Sequence, residues 1–369
     1  MTLLKSHGKA RIGAQTHPAP RVRQGRMTRR MSMTSTHPVE EQILWPVVIL
    51  HNVDSSWTEA EVQEAEGYLT TMANALADHG HPVDLAQVRR DVAGPLVRYD
   101  PREHIVFNWC EGIDGVPRSG DLIPPVLEEL GFAYTGSDAR TLATTQDKSA
   151  VKVVLDELGV PTPAWRTFGS PDEVEDWDIF PSIVKPVAEH CSFGITEGAV
   201  VSSLKELRKR VAYVLGAYGG RALVEDFVIG REFNVSIWGN GQPAPLPLYE
   251  IDFSDIADPY RQVVDFDAKW TKGSYTYEHT PSRCPADVDE QVADRIRSVA
   301  MAAYKAHGLR DFGRIDMRVR DRQPYVVDVN SNPDITIDGG FAKTAAAAGY
   351  NYGAAISRIV NLAAHRRPL

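Results

Sequence analysis

Apolar and polar residues alternate with a period of two in neighbouring runs near the carboxyl end, which predicts two paired strands, each with one packed face and one free face. Across 314–320, Ile315, Met317 and Val319 alternate with Arg314, Asp316, Arg318 and Arg320; across 325–330, Tyr325, Val327 and Val329 alternate with Val326, Asp328 and Asn330. A hairpin loop at Asp321-Arg322-Gln323 sets Asp316 opposite Asp328 and Arg314 opposite Asn330. Like charges directly opposite each other destabilise a sheet. A hard divalent cation, Mg²⁺ or Mn²⁺, removes that cost and suits carboxylate and amide oxygens. Taken alone, the pattern equally fits an exposed hairpin with scattered charges.

The same patterning divides the rest of the chain. The apolar run 44–50 predicts a buried first strand. Val62, Ala65, Leu69, Met72 and Leu76 give 59–79 helical spacing, stopped at Gly80. Short strands follow at 81–86, 104–107 and 132–136, with a helix at 124–130. Strands alternating with helices imply a parallel sheet whose ligands gather at the carboxyl ends of the strands, where Asn108 and Glu111 lie. A helix over 148–158 ends at Gly159, and Pro161 and Pro163 mark a linker. Strands are predicted at 182–186, 195–201, 222–227 and 231–238, and helices at 204–218, 288–307 and 352–364, the last expected to pack on the final domain. The stretch 249–283 is polar and aromatic with little periodicity, as lids and binding loops are. The expected organisation is a tail 1–42, an N-terminal substrate domain 43–140, a central domain 141–225 and a C-terminal domain 226–369.

Charge and composition narrow the function. The net charge of −9 argues against a nucleic-acid binder. It is uneven: residues 1–42 carry eight Lys/Arg against two Glu, a composition expected to be disordered. That tail fits a transit peptide, or an upstream start with translation from Met27, Met31 or Met33. No apolar run approaches the roughly 18 residues that span a bilayer, so no membrane role is expected. Cys110, Cys191 and Cys284 are widely spaced and odd in number, so neither a disulfide framework nor a zinc site follows, and a cytoplasmic location is expected.

Against that background a few residues stand out. Lys185 lies inside an apolar strand, where a bare ammonium is costly without an anion. Lys148 lies in the first turn of a helix, where its charge opposes the macrodipole. A bound phosphate favours both placements. The loop Glu189-His190-Cys191-Ser192-Phe193-Gly194 is small, polar and glycine-closed, so backbone N–H groups can approach phosphate oxygens. Glu225 and Glu232 flank an apolar hinge, 227–230, where carboxylates can accept from an amino group and from ribose hydroxyls. Neither a Walker loop nor a GxGxxG turn is present.

Together these pieces resemble an ATP-grasp enzyme, and among these the D-alanine–D-alanine ligase family. Phe132–Gly136 with Asp147-Lys148 resembles the family's YTGS…DK passage, and 185–195 its KPxxEGSSVG loop. Glu225 to Glu232 resembles ExxxxGxE, Phe266-Asp267-Ala268-Lys269-Trp270 resembles YxAKY, and Cys284-Pro285-Ala286 the CPA beyond that lid. Gly313-Arg314-Ile315-Asp316 resembles GRxDF, and Asp328-Val329-Asn330-Ser331-Asn332-Pro333 resembles ExNxxPG. The resemblance implies an α/β protein with a three-domain ATP-grasp fold and an N-terminal parallel-sheet domain. It implies Lys148 and Lys185 on ATP phosphates, Ser192 and the Gly194 loop over them, Glu225 and the Val228 backbone on adenine, and Glu232 on ribose. Asp316, Asp328 and Asn330 would hold two Mg²⁺, Lys269 would reach the γ-phosphate, and Arg314 would stabilise the acyl phosphate and the tetrahedral intermediate. Asn108, Glu111, Cys191, Trp270 and Asp334 fall at substrate positions. The implied reaction joins a small-molecule carboxylate to an amine through an acyl phosphate, releasing ADP and phosphate, in a homodimer formed through the N-terminal domain.

Departures from the family pattern bear on the substrates. His51-Asn52-Val53-Asp54 and 108–112 replace the family's N-terminal substrate motifs. Cys191 replaces a serine, Trp270 the lid tyrosine and Asp328 a metal-bridging glutamate. Asp334 stands at a glycine position, and Gly339 where the family binds the acceptor carboxylate with a serine. These changes point to a biosynthetic amino-acid ligase rather than the cell-wall enzyme. Two other readings stay open: an intramolecular cyclase of the same fold, and a nucleotide-binding protein without catalysis.

Overall fold

The computed structural model describes residues 44–367; the basic tail lies outside them. Strands β1 (Val47–Asn52), β2 (Val83–Val88), β3 (Ile105–Trp109) and β4 (Ala133–Tyr134) form a sheet in the order β2-β1-β3-β4, and every pairing is parallel. β1 is apolar throughout because both its faces are covered. Val47 and Ile49 meet helix α1 (Glu59–Asp78) through Leu69, Met72 and Leu76, while Val48 and Leu50 face Leu127 of helix α2 (Ile123–Glu129). Thr58 and Glu61 close a capping box at the start of α1.

Helix α3 (Ala139–Gln146) has no apolar periodicity in its Thr-rich sequence, so the hydrophobic pattern does not mark it. It ends where Asp147 turns extended and caps α4 (Lys148–Glu157), accepting from the Ser149 and Ala150 N–H groups. The second sheet has the order β5-β8-β6-β7, with β5 (Trp165–Phe168), β6 (Ser182–Pro186), β7 (Val200–Val201) and β8 (Ala222–Asp226). Its apolar face packs on α5 (Leu204–Tyr218). The strand expected over 195–201 survives only as β7, because Gly194 and Gly198 turn the chain at φ +75° and +82°.

The third sheet carries β9 (Arg231–Trp238), β10 (Ala244–Pro245), β11 (Tyr249–Ile251), β12 (Ser282–Arg283), β13 (Phe312–Arg320) and β14 (Gln323–Asn330), with β13 between β9 and β14. The aperiodic stretch holds two short helices, α6 (Phe266–Trp270) and α7 (Tyr275–Glu278). Helix α8 (Glu290–Ala306) covers the sheet through Ile296, Ala300 and Tyr304. The Ala-rich α9 (Gly340–Ala347), also without a periodic signal, follows, and α10 (Tyr352–Ala364) ends the fold. α10 packs on the last domain as expected and reaches the first sheet as well: Ile356, Ile359 and Val360 share one core with Trp238 and Phe312 of the third sheet and with Val47, Ile105 and the α1 face. The buried side chain of His81 fastens it, with Nε2 2.8 Å from Ser357 Oγ.

The central hairpin has the predicted pairing, Asp316 with Asp328 and Arg314 with Asn330, reached by a different route. The loop has two residues, Asp321 and Arg322, both at positive φ. A bulge then leaves Val327 unpaired, since Met317 pairs with Val326. The bulge breaks the alternation in β14. Val326 enters the core with Val329, and Tyr325 and Val327 do not.

Candidate active site

An open cleft separates the second sheet from the third. One wall brings Lys185 from β6 and Glu225 from β8; the other brings Arg314 and Asp316 from β13 with Asp328 and Asn330 from β14. The bulge adds Val327 to that wall. Lys148, Cys191, Ser192, Val228, Glu232 and Lys269 also line the cleft. Asn108, Glu111, Trp270 and Asp334 lie outside its lining.

Most of the cations in the cleft are already matched by acids. Arg314 grips Asp316 with two bonds of 2.6 and 2.9 Å, and Asn234 and Asn330 donate to the same carboxylate. Burial works against the Arg314 charge, but Asp316 more than offsets it and raises its pKa. Arg318 reaches Glu232 at 3.2 Å and the Gln262 and Gly230 carbonyls, between the rings of Phe227 and Phe253. Burial raises the Glu232 carboxyl above its ordinary value against that arginine. Lys148 Nζ donates to the Glu189 carbonyl at 2.6 Å and stands 3.8 Å from Asp328. Burial pushes the Asp328 carboxyl up, and Lys148 and its neighbours pull it below the usual range.

Glu225 sits differently from a free adenine acceptor. Its side chain is 1% exposed, with one oxygen 2.5 Å from Lys152 and the other 2.7 Å from Lys185. Lys152 was not singled out in the sequence, although it lies one helical turn beyond Lys148, between the core residues Val151 and Leu155 of α4. A lysine inside an apolar stripe was the available signal.

The loop after β6 and the lid segment hold each other. Cys191, Ser192 and Gly194 all have positive φ, at 54°, 65° and 75°. Ser192 Oγ donates to the Val264 carbonyl at 2.8 Å, Trp270 Nε1 donates to the Cys191 carbonyl at 3.1 Å, and the rings of Phe193 and Phe266 stand 5.2 Å apart. Although Cys191 is exposed, desolvation by the surrounding groups pushes its thiol pKa up; Lys269 opposes that shift and Glu111, in the loop after β3, adds to it. Asn108 braces its own loop, its side-chain oxygen accepting from the Cys110 N–H at 3.4 Å. Asp334 accepts from the Thr336 N–H and hydroxyl at 2.9 and 2.7 Å, within a cluster reaching Asp338 and Tyr68.

Asp316, Asp328 and Asn330 carry oxygen atoms of the kind a hard divalent ion takes, while here the Asn330 amide group donates to Asp316 and Arg314 holds both Asp316 oxygens. Among the described residues no group of three or more His, Cys, Asp or Glu side chains could hold a metal, and none of the helices is long and apolar enough to cross a membrane.

A cleft between two antiparallel sheets, beside a parallel N-terminal sheet, is the ATP-grasp architecture. A sequence profile described as "D-ala D-ala ligase C-terminus" matches residues 154–361. The D-alanine–D-alanine ligase of Aquifex aeolicus is 32% identical over 294 residues, covering 79% of this chain and 91% of that protein. The uncharacterized protein y4sG of Sinorhizobium fredii is 31% identical over 300 residues, covering 79% and 86%. The D-alanine–D-alanine ligase from Bacillus anthracis complexed with ATP superposes with a TM-score of 0.65 at 21% identity, covering 88% of this chain and 98% of that one. The chain belongs to the D-alanine–D-alanine ligase family. It is an ATP-dependent ligase that forms C–N bonds, with small-molecule substrates.

Proposed function

We propose that the enzyme activates an amino-acid-like carboxylate as an acyl phosphate and passes it to an amine, and that the amine is not D-alanine. The acceptor end supports this reading. Asp334 replaces the glycine of the family pattern and lies in an acidic cluster with Asp338, while Gly339 offers no side chain to an acceptor carboxylate. An anionic acceptor is repelled there and a cationic or less acidic one is favoured. The role is then biosynthetic rather than in the cell wall.

A carboxylate meeting a triphosphate brings together two anions, so the chain's own cations do most of the work. Lys148, Lys185 and Lys269 hold the phosphates, with the backbone at Ser192 and Gly194 closing over them. The Val228 backbone reads adenine and Glu232 the ribose. Arg314, fixed by Asp316, faces the charge that develops on the acyl group. Glu111 and Cys191 border the donor, Asn108 shapes the loop carrying Glu111, and Trp270 and Asp334 limit the acceptor. Asp316, Asp328 and Asn330 would hold Mg²⁺, which supplies charge neutralisation of the phosphates when bound. The lid excludes water from the acyl phosphate. A homodimer through the first sheet completes the reading.

The test is a phosphate-release screen over pairs of amino acids and amines, with the products weighed by mass spectrometry. Release that requires both a carboxylate and a non-alanine amine, with a linear amide as product, is expected. Efficient D-alanyl-D-alanine formation from D-alanine alone would overturn the substrate reading, and a cyclised product would overturn ligation between two molecules.

A further inference from the structure

Lys152 is fully enclosed and does not line the cleft, yet it is one atom layer behind the wall. Its Nζ lies 2.5 Å from Glu225 Oε1, 2.7 Å from Thr162 Oγ1 and 3.1 Å from the Val326 carbonyl. Thr162 gives its own proton to the same carbonyl at 2.8 Å, so Thr162 Oγ1 and the Val326 carbonyl both accept from Lys152, and Glu225 is its ion-pair partner. With two acceptors on its other sides and a carboxylate oxygen at 2.5 Å, the site suits the charged ammonium form. The other Glu225 oxygen is 2.7 Å from Lys185 Nζ, which does line the cleft. A single carboxylate is therefore shared by two lysines, and the group as a whole carries one net positive charge.

We infer that Lys152 is a positioning residue: from behind the wall it neutralises Glu225, so that the charge of Lys185 is left for the nucleotide phosphates. Without Lys152, Glu225 and Lys185 form a closed neutral pair, and the cleft loses one unit of positive charge and the orientation of the lysine that carried it. With Lys152 in place, Glu225 fixes Lys185 and does not cancel it. The location fits this task. The Val326 carbonyl that Lys152 holds is two residues from Asp328, so one ammonium links α4, β8 and β14 around the phosphate end of the cleft. Burial pulls the Lys152 pKa down, and Glu225 is its main counterweight.

The inference rests on the proposed phosphate contact of Lys185, and the experiment separates the two. Affinity for ATP and for adenosine is measured by calorimetry on the full chain, with thermal melts as a fold control. Lys152→Met is expected to weaken ATP binding by about 10- to 100-fold, the scale of one partly buried charge near a polyphosphate, and to leave adenosine binding unchanged. Lys152→Arg is expected to hold ATP affinity within about threefold. The decisive variant is Lys152→Met with Glu225→Gln, which removes both charges and should restore ATP binding. A purely structural lysine would show no such rescue. Should Lys152→Met not fold, Lys152→Gln keeps the polar contacts to Thr162 and Val326 and is read in the same way. Equal loss of ATP and adenosine binding, or a double variant as weak as the single one, overturns the role of Lys152. Unchanged ATP affinity in Lys185→Met overturns the phosphate contact itself.

Discussion

Arg314 is the residue whose surroundings say most about when it acts. Its two bonds to Asp316 leave a rigid, permanently charged fork facing the cleft. A group held this firmly by Asp316 can stabilise charge that appears later without having to move. Replacing it with lysine keeps the charge and loses the fork. Steady-state kinetics on Arg314→Lys should show kcat lower by about 100-fold or more, with the KM for ATP little changed. A rise in KM at constant kcat would place Arg314 in ground-state binding instead. The opposed acids at Asp316 and Asp328 were legible in the sequence because period-two spacing sets register. Lys152 was not, because a helix lysine is normally solvated and nothing local says that a carboxylate 73 positions away will meet it.

At the scale of elements, the site depends on how two loops are held. Gly230 turns β8 into β9 at φ +153°, and a Cβ there would overlap the Val319 carbonyl of β13. That neighbour is backbone and cannot swing away, so Gly230→Ala must part β9 from β13. A loss of about 3 kcal/mol or more is expected, read as a lower urea midpoint; an unchanged midpoint would mean the strands separate at no cost. The lid is held more lightly. Trp270 donates one bond to Cys191, and Trp270→Phe removes the donor while keeping an aromatic ring. A loosened lid admits water to the acyl phosphate. Phosphate released per amide formed should rise above one in this variant, by coupled assay, and tight coupling would relieve Trp270 of the latch. The hairpin shows why element boundaries were easier to read than their details. Residues 314–330 gave the correct acid pairing, but a two-residue turn and a bulge produced it, and alternation alone cannot reveal an extra residue that changes phase in mid-strand.

Across the whole molecule, the first sheet and the last helix are held together through His81, and this makes the fold sensitive to acid. Nδ1 lies 2.8 Å from the Trp45 carbonyl, which can only accept, so Nδ1 carries the hydrogen and Nε2 accepts from Ser357 Oγ. Burial lowers the His81 pKa below its usual 6.5, and the same cause lowers those of His51, His190 and His307. The sign follows from proton counting. In the unfolded chain these imidazoles take up protons as pH falls through about 6.5, while in the folded chain they stay neutral to lower pH. The unfolded state therefore binds more protons in that window, and stability decreases as pH decreases. Stability should be nearly level from pH 8 to 7 and then fall on acidification, with each histidine contributing at most about 1.4 kcal/mol per pH unit. In His81→Gln the side-chain amide can still donate to Trp45 but cannot titrate. Its urea-unfolding free energy, followed between pH 7 and 5, should be lower at neutral pH and fall less steeply, by up to one proton's worth of slope. Parallel curves for the two proteins would show that the contact between the first sheet and α10 plays no part in the acid sensitivity, leaving the fall to the other three histidines.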